Sequence, residues 1–138
     1  NGAKINIGNS VSLGDFVMLN VREGALLSIG KSSHINFGSR VSCFTEILIG
    51  EDCLIASYAN ILDHGHKYDL MNSPSKTEYI KAGIKIEKGV WLGTKVQINK
   101  GTTIGKYAVV GSNSVVTKSL GEASVYGGIP AKLLKSNK

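Results

Sequence analysis

Residues Ile86 to Gly121 read IEKGVW, LGTKVQ, INKGTT, IGKYAV, VGSNSV, VTKSLG, six consecutive units of six residues. An aliphatic residue opens each unit, glycine or a polar stand-in often follows, and the fifth place is small or branched at Val90, Val96, Thr102, Ala108 and Ser114. The same frame recurs upstream as IGNSVS and LGDFVM from Ile7, IGKSSH, INFGSR and VSCFTE from Ile29, and IGEDCL and IASYAN from Ile49. Recurrence at a fixed short period is the signature of a solenoid.

An α-helix is excluded. β-branched residues are dense, and each recurring glycine would cost a helix roughly 1 kcal/mol against alanine. Hairpin sheets would alternate with period two and turn on Asn-Gly or Asp-Gly pairs between strands, and none occurs after Asn1-Gly2. A six-residue unit is instead one short strand and one corner, its opening aliphatic pointing inward and its glycine relieving the bend. Three units close a triangular turn, and stacked turns bury a column of aliphatic side chains.

Two breaks interrupt the frame: two extra residues at Ile47 and Leu48, and a polar excursion over 67–83. Loops leaving a rigid scaffold tend to carry binding residues, so the excursion is expected to be an active-site loop. The hexads stop near Leu120. The closing GGIPAKLLKSNK predicts a turn and a short helix within 121–138 that caps the coil. The 138 residues make one domain.

Aromatic residues make up only 7% of the chain and glycines number 17, so the core must be built from Ile, Val, Leu and Ala. A net charge of +6 and a pI near 9.4 favour an anionic partner. The basic residues are spread out, with one cluster at Lys118, Lys132, Lys135 and Lys138, and no run is dense enough for a nucleic-acid arm. A phosphate-bearing cofactor near the C-terminal half fits better. Cys43 and Cys53 lack metal-ligand spacing and read as buried thiols in a reducing compartment. No run of about 18 apolar residues or signal-like start is visible, so a soluble, cytoplasmic protein without membrane insertion is expected.

From about Gly30 to Lys135 the chain resembles the hexapeptide-repeat acetyltransferases, and among them the galactoside and maltose O-acetyltransferases and the enzymes that O-acetylate capsule or lipopolysaccharide sugars. The block IGEDCLIASYANILDHGH from Ile49 to His66, and IEKGVWLGTKV from Ile86, carry the likeness. The resemblance implies a left-handed parallel β-helix and transfer of acetyl from acetyl-CoA to a sugar hydroxyl. It also implies no metal requirement and a homotrimer with sites between neighbouring coils.

In that family a hexad ending in histidine supplies the catalytic base, and Ile61-Leu-Asp-His-Gly-His66 matches it, which makes His66 the candidate. Neutral imidazole, with a reference pKa of ~6.5, can take a proton from a hydroxyl that attacks a thioester. His64 is the second choice. Asp63 is a candidate to orient either ring or to bind substrate. The excursion after His66 is about one residue longer than in the galactoside enzymes. Asn36 falls where the family places an acceptor-binding asparagine, and equally where an asparagine tolerates left-handed geometry at a bend. Phe44 stands where the galactoside enzymes carry an acidic residue, so their acceptor specificity does not transfer.

For acetyl-CoA the resemblance implies Trp91, Gly93, Thr94, Ser112, Thr117, Lys118, Lys132 and Lys135. The Thr94 N–H is a candidate oxyanion donor. Three other readings stay open. One is acetylation of an amine on an amino sugar or nucleotide-sugar, or of a serine or antibiotic hydroxyl. Another is a zinc-dependent, carbonic-anhydrase-like protein using His34, His64 and His66. The last is a non-enzymatic β-helical module.

Overall fold

The computed structural model describes residues 2–137, and among them no helix forms. The chain winds five triangular turns. Turn one is β1 (Lys4–Ile7), β2 (Ser12–Leu13) and β3 (Met18–Val21), and turn two is β4 (Leu26–Ile29), β5 (His34–Ile35) and β6 (Arg40–Cys43). Turn three is β7 (Glu46–Ile49), β8 (Leu54–Ile55) and β9 (Asn60–Leu62), followed by an excursion with β10 (His64–His66) and β11 (Tyr79–Lys81). Turn four is β12 (Ile84–Ile86), β13 (Trp91–Leu92) and β14 (Gln97–Ile98). Turn five is β15 (Thr103–Ile104), β16 (Val109–Val110) and β17 (Val115–Val116), before β18 (Ser124–Gly127) and β19 (Lys132–Ser136).

Corresponding strands of successive turns pair in parallel. They make a first face β1-β4-β7-β12-β15, a second face β2-β5-β8-β13-β16 continued by β18 and β19, and a third face β3-β6-β9-β14-β17. The hexad openers stack in register along each face, for example Ile29, Ile49, Ile86 and Ile104 on the first and Val41, Ile61, Ile98 and Val116 on the third. All are nearly or fully buried, so the column read from the sequence is the core. Cys43 and Cys53 are free, buried thiols within it.

Glycine in the second place of a hexad does a different job from the one expected. At Gly93 an added Cβ would lie 2.6 Å from the Ser112 nitrogen, so the residue is small because the next turn stacks directly on it. The bend itself is taken two residues later, where Lys95 and Asn113 have φ of 59° and 61°.

Two expectations are corrected. Residues 132–136 form a strand instead of a short helix: β19 pairs antiparallel with β18. A helix of so few residues has little stability of its own, whereas the free edge of β18 offers unpaired N–H and C=O groups that a strand satisfies. Ile47 and Leu48 are ordinary members of β7, in register with Leu27 and Ser28 below and Ile84 and Lys85 above. The extra residues of that turn lie before them, at the corner around Phe44 and Thr45.

Candidate active site

That corner, between the third and first faces, is where the repeat fails three times running. In the regular part of the coil it takes six residues, from Ile98 to the next core position Ile104. Below, it takes ten from Leu19 to Ile29 and eight from Val41 to Ile49, and between them sits the largest, twenty-five from Ile61 to Ile86. The surplus residues of turns one, two and three are stacked on one edge, and their side chains form a cluster.

Asp63 anchors it. Its side chain is fully buried. Oδ1 accepts the Phe44 N–H at 2.7 Å, and Oδ2 accepts those of Thr45 and Glu46 at 2.7 and 2.9 Å. A widened corner leaves backbone donors without a strand partner, and one carboxylate satisfies three of them. Of the two roles expected for Asp63, its contacts are those of an orienting group: it holds the corner of the turn below and, with Oδ1 at 3.2 Å, the Nδ1 of His64. The nearby Cys43 thiol is pushed up to about 12, by burial first and by the Asp63 charge second.

His64 lies flat on Phe44, centroids 3.4 Å apart and planes 6° apart, and is mostly buried. Its Nδ1 faces Asp63 and one ring face is covered, so it is a packed ring inside the cluster. His66 is exposed. Its Nδ1 lies 2.8 Å from the Ser75 carbonyl oxygen. A carbonyl can only accept, so Nδ1 carries the proton and the neutral ring keeps its lone pair on Nε2. Tyr79 packs on His66 at 4.7 Å, on His64 at 5.8 Å and on Phe44 at 5.1 Å.

These contacts follow from the excursion being a hairpin. β10 pairs antiparallel with β11, setting His66 opposite Tyr79 and His64 opposite Lys81. The Lys67 N–H donates to Glu78 O, their side chains form an ion pair at 3.6 Å, and the Ser75 N–H returns to Lys67 O. The loop tip thereby folds back to present the Ser75 carbonyl to His66.

The other candidates lie elsewhere. Asn36, Gly93, Thr94 and Ser112 stand above one another on the corner between the second and third faces, on turns two, four and five. Asn36 does not have left-handed geometry, which belongs to Gly38 at φ 67°, so the bend does not explain its amide. The Thr94 N–H donates to Ser112 Oγ at 3.1 Å, so it is already engaged and the outward donor on this corner is the Ser112 hydroxyl. Thr117 and Lys118 are exposed on the same corner as His66, two turns above it, while Trp91 (50% exposed), Lys132 and Lys135 are exposed on the second face. A single chain therefore does not bring Asn36 or the Gly93–Ser112 column to His66.

The family model for the bacterial transferase hexapeptide, of six repeats, matches residues 83–118. WbbJ of Escherichia coli, named as a lipopolysaccharide biosynthesis O-acetyl transferase, is 33% identical over 143 residues, covering 98% of this chain and 73% of its own. A Mycobacterium tuberculosis protein named as an acetyltransferase is 33% identical over 97% of this chain, which spans only 45% of that relative. The crystal structure of a hexapeptide-repeat acetyltransferase from Vibrio cholerae, complexed with acetyl coenzyme A, superposes with a TM-score of 0.86 at 31% identity, covering 95% of this chain and 70% of that one.

The chain belongs to the hexapeptide-repeat acetyltransferases. Its coil is their left-handed parallel β-helix. Within this member of the family, four residues of the His66 edge escaped the sequence reading: Arg22, Ser75, Tyr79 and Lys100. Arg22 has its guanidinium carbon 4.1 Å from the Phe44 centroid, and Lys100 brings its Nζ near Gly65. The signal that would have found Arg22 is the loss of the hexad frame between Leu19 and Ile29. For the zinc alternative, His34 stands on β5 in the second face, away from His64 and His66. Within one chain no three His, Cys, Asp or Glu side chains among the described residues converge on a metal position. Among the described residues no helix is long and apolar enough to cross a membrane.

Proposed function

We propose that this protein transfers an acetyl group from acetyl-CoA to a hydroxyl of a sugar, with His66 as general base. The observation that carries the reading is the 2.8 Å approach of His66 Nδ1 to the Ser75 carbonyl, which leaves Nε2 of this exposed ring as its free proton acceptor. Nε2 takes the proton from the acceptor hydroxyl as its oxygen attacks the thioester carbon. The C–S bond then breaks, and the proton passes from the imidazolium to the departing CoA sulfur. His64, covered by Phe44 and held by Asp63, serves as a wall that keeps the cluster rigid.

Acetyl-CoA is the donor named for the Vibrio cholerae relative. Here it is assigned to the corner of Gly93, Thr94 and Ser112, with Trp91 beside the pantetheine arm, Thr117 and Lys118 reaching it from the His66 corner of a second copy, and Lys132 and Lys135 facing the phosphates. Asn36 is assigned to the acceptor; among the described residues its side-chain amide makes no hydrogen bond, which leaves two donors and an acceptor for hydroxyls. Since the two corners are apart in one chain, the complete site requires a second copy whose Asn36 edge meets the first copy's His66 edge. A closed ring of three triangular prisms repeats that contact at every seam, so a homotrimer is expected.

The test is CoA release from acetyl-CoA across a panel of sugars, nucleotide-sugars and amino sugars. Acceptor-dependent release should fall roughly 10²-fold or more in His66→Ala, as removal of a general base requires, while His64→Ala should lose stability as well as rate. Release unaffected by His66→Ala overturns the assignment, and products acetylated on nitrogen move the acceptor to an amine.

A further inference from the structure

Arg22 belongs to the widened corner of turn one, and nothing in the proposed acetyl transfer uses it. Its guanidinium carbon lies 4.1 Å from the Phe44 centroid and 5.1 Å from that of Tyr79. His64 already covers Phe44 face to face at 3.4 Å, so arginine and imidazole occupy opposite faces of that ring. Tyr79 also touches His66, so Arg22 and the proposed base flank one tyrosine.

Stacking consumes the face of a guanidinium and leaves its in-plane N–H fork unused. Among the described residues Arg22 has no ion pair and no side-chain hydrogen bond, although the side chain is exposed. The carboxylates that might have paired with it are engaged or turned away: Asp63 is buried and spent on backbone N–H groups, and Glu78 pairs with Lys67. Glu23 and Glu46, both exposed, come no closer than the ion-pair limit of 4.0 Å. Lys100 near Gly65 adds positive charge on the same edge.

A fork set against two rings, unpaired and one tyrosine away from the proposed base, is suited to a planar or tetrahedral oxyanion bound through two parallel N–H···O bonds. We infer that Arg22 is a specificity-determining residue that binds the oxyanion, carboxylate or phosphate, of an acidic acceptor sugar. Delivery of that sugar's hydroxyl to His66 rests on the acetyl-transfer reading; the binding itself does not.

The experiment is equilibrium binding of glucuronic acid, glucose 1-phosphate and glucose to the full chain, native and Arg22→Gln, by calorimetry, with acetyl-CoA titrated in parallel. The native chain should bind at least one acid roughly 10-fold or more tightly than glucose. Arg22→Gln should lose roughly 10- to 100-fold for that acid, leave glucose and acetyl-CoA affinity unchanged, and lower the melting temperature only slightly, as loss of an exposed cation–π contact does. The preferred acid tells carboxylate from phosphate. Equal binding of acid and glucose, binding of neither acid, or a loss in Arg22→Gln that falls on acetyl-CoA overturns the inference. Acids that bind through Arg22 but are never acetylated would sink the transfer reading and leave this one standing. His66-dependent acetylation of neutral sugars, indifferent to Arg22→Gln, would do the reverse.

Discussion

The two corners of this coil solve the same geometric problem in opposite ways. At the corner of Gly93 and Ser112 the chain turns in the minimum number of residues, and the next turn packs so tightly that a single added carbon would strike backbone at 2.6 Å. At the corner of Arg22, Phe44 and Asp63 the chain is allowed to run long, and order is recovered by side chains: a buried carboxylate for the orphaned N–H groups, and stacked rings for the missing strands. The first corner is specified by what is absent from its residues, the second by what is present. A tight corner suits an extended ligand that lies along it. A wide one suits reacting groups that must be aimed.

This contrast can be broken most forcefully at Asp63. Asp63→Ala should destabilise the chain by about 3 to 5 kcal/mol, because three partly buried N–H groups lose one fully buried charged acceptor at once; urea denaturation reads it, and a loss under about 1 kcal/mol would mean the widened corner does not depend on it. Gly93→Ala should cost about 2 to 3 kcal/mol by overpacking against Ser112. The matched change at the wide corner, Gly65→Ala, meets nothing nearer than the flexible Lys100 Nζ at 3.8 Å and should stay within about 0.5 kcal/mol on steric grounds. Equal effects of the two glycine changes would erase the distinction drawn between the corners.

A pH titration sharpens it further. The folded chain holds the Cys43 thiol at about 12 from an ordinary value of 9.0, so folding favours the protonated form. Its contribution is complete below the unfolded-state pKa and is lost between about pH 9 and 12, at about 1.4 kcal/mol per pH unit for one proton. Burial of Cys53 acts in the same direction. Cys43→Ala should therefore flatten the alkaline limb of stability against pH relative to the native chain. An unchanged limb would mean that the thiol beside Asp63 is wetter than its packing indicates.

The division between the corners also explains what could be read from the residues alone. The tight corner and the three faces are written in period, so the hexads from Ile7 onward, the buried openers and the two thiols were legible. So was the place of His66 at the start of the excursion, because its hexad keeps the frame up to its last residue. The wide corner is written in contacts between residues far apart in the chain. Asp63 meets the backbone of residues 44–46, and Tyr79 reaches His66 across a loop, and neither spacing nor composition encodes such meetings. Arg22 was missed for the same reason, in a stretch where the frame had lapsed. At the other end, Lys132-Leu-Leu-Lys135 has a helix-friendly composition, but the open edge of β18 decided its conformation.

One consequence lies in the register that survives the excursion. Ile49 pairs with Ile86, and Ile86 with Ile104, as though the residues between Ile61 and Ile86 had never been inserted. A solenoid in which each turn touches only its neighbours can lengthen one edge without re-indexing the others. On the assignment proposed above, changes in what the wide edge recognises can therefore accumulate while the edge assigned to the donor stays as it is, and a lineage built on this coil can try new acceptors without first giving up its acyl donor.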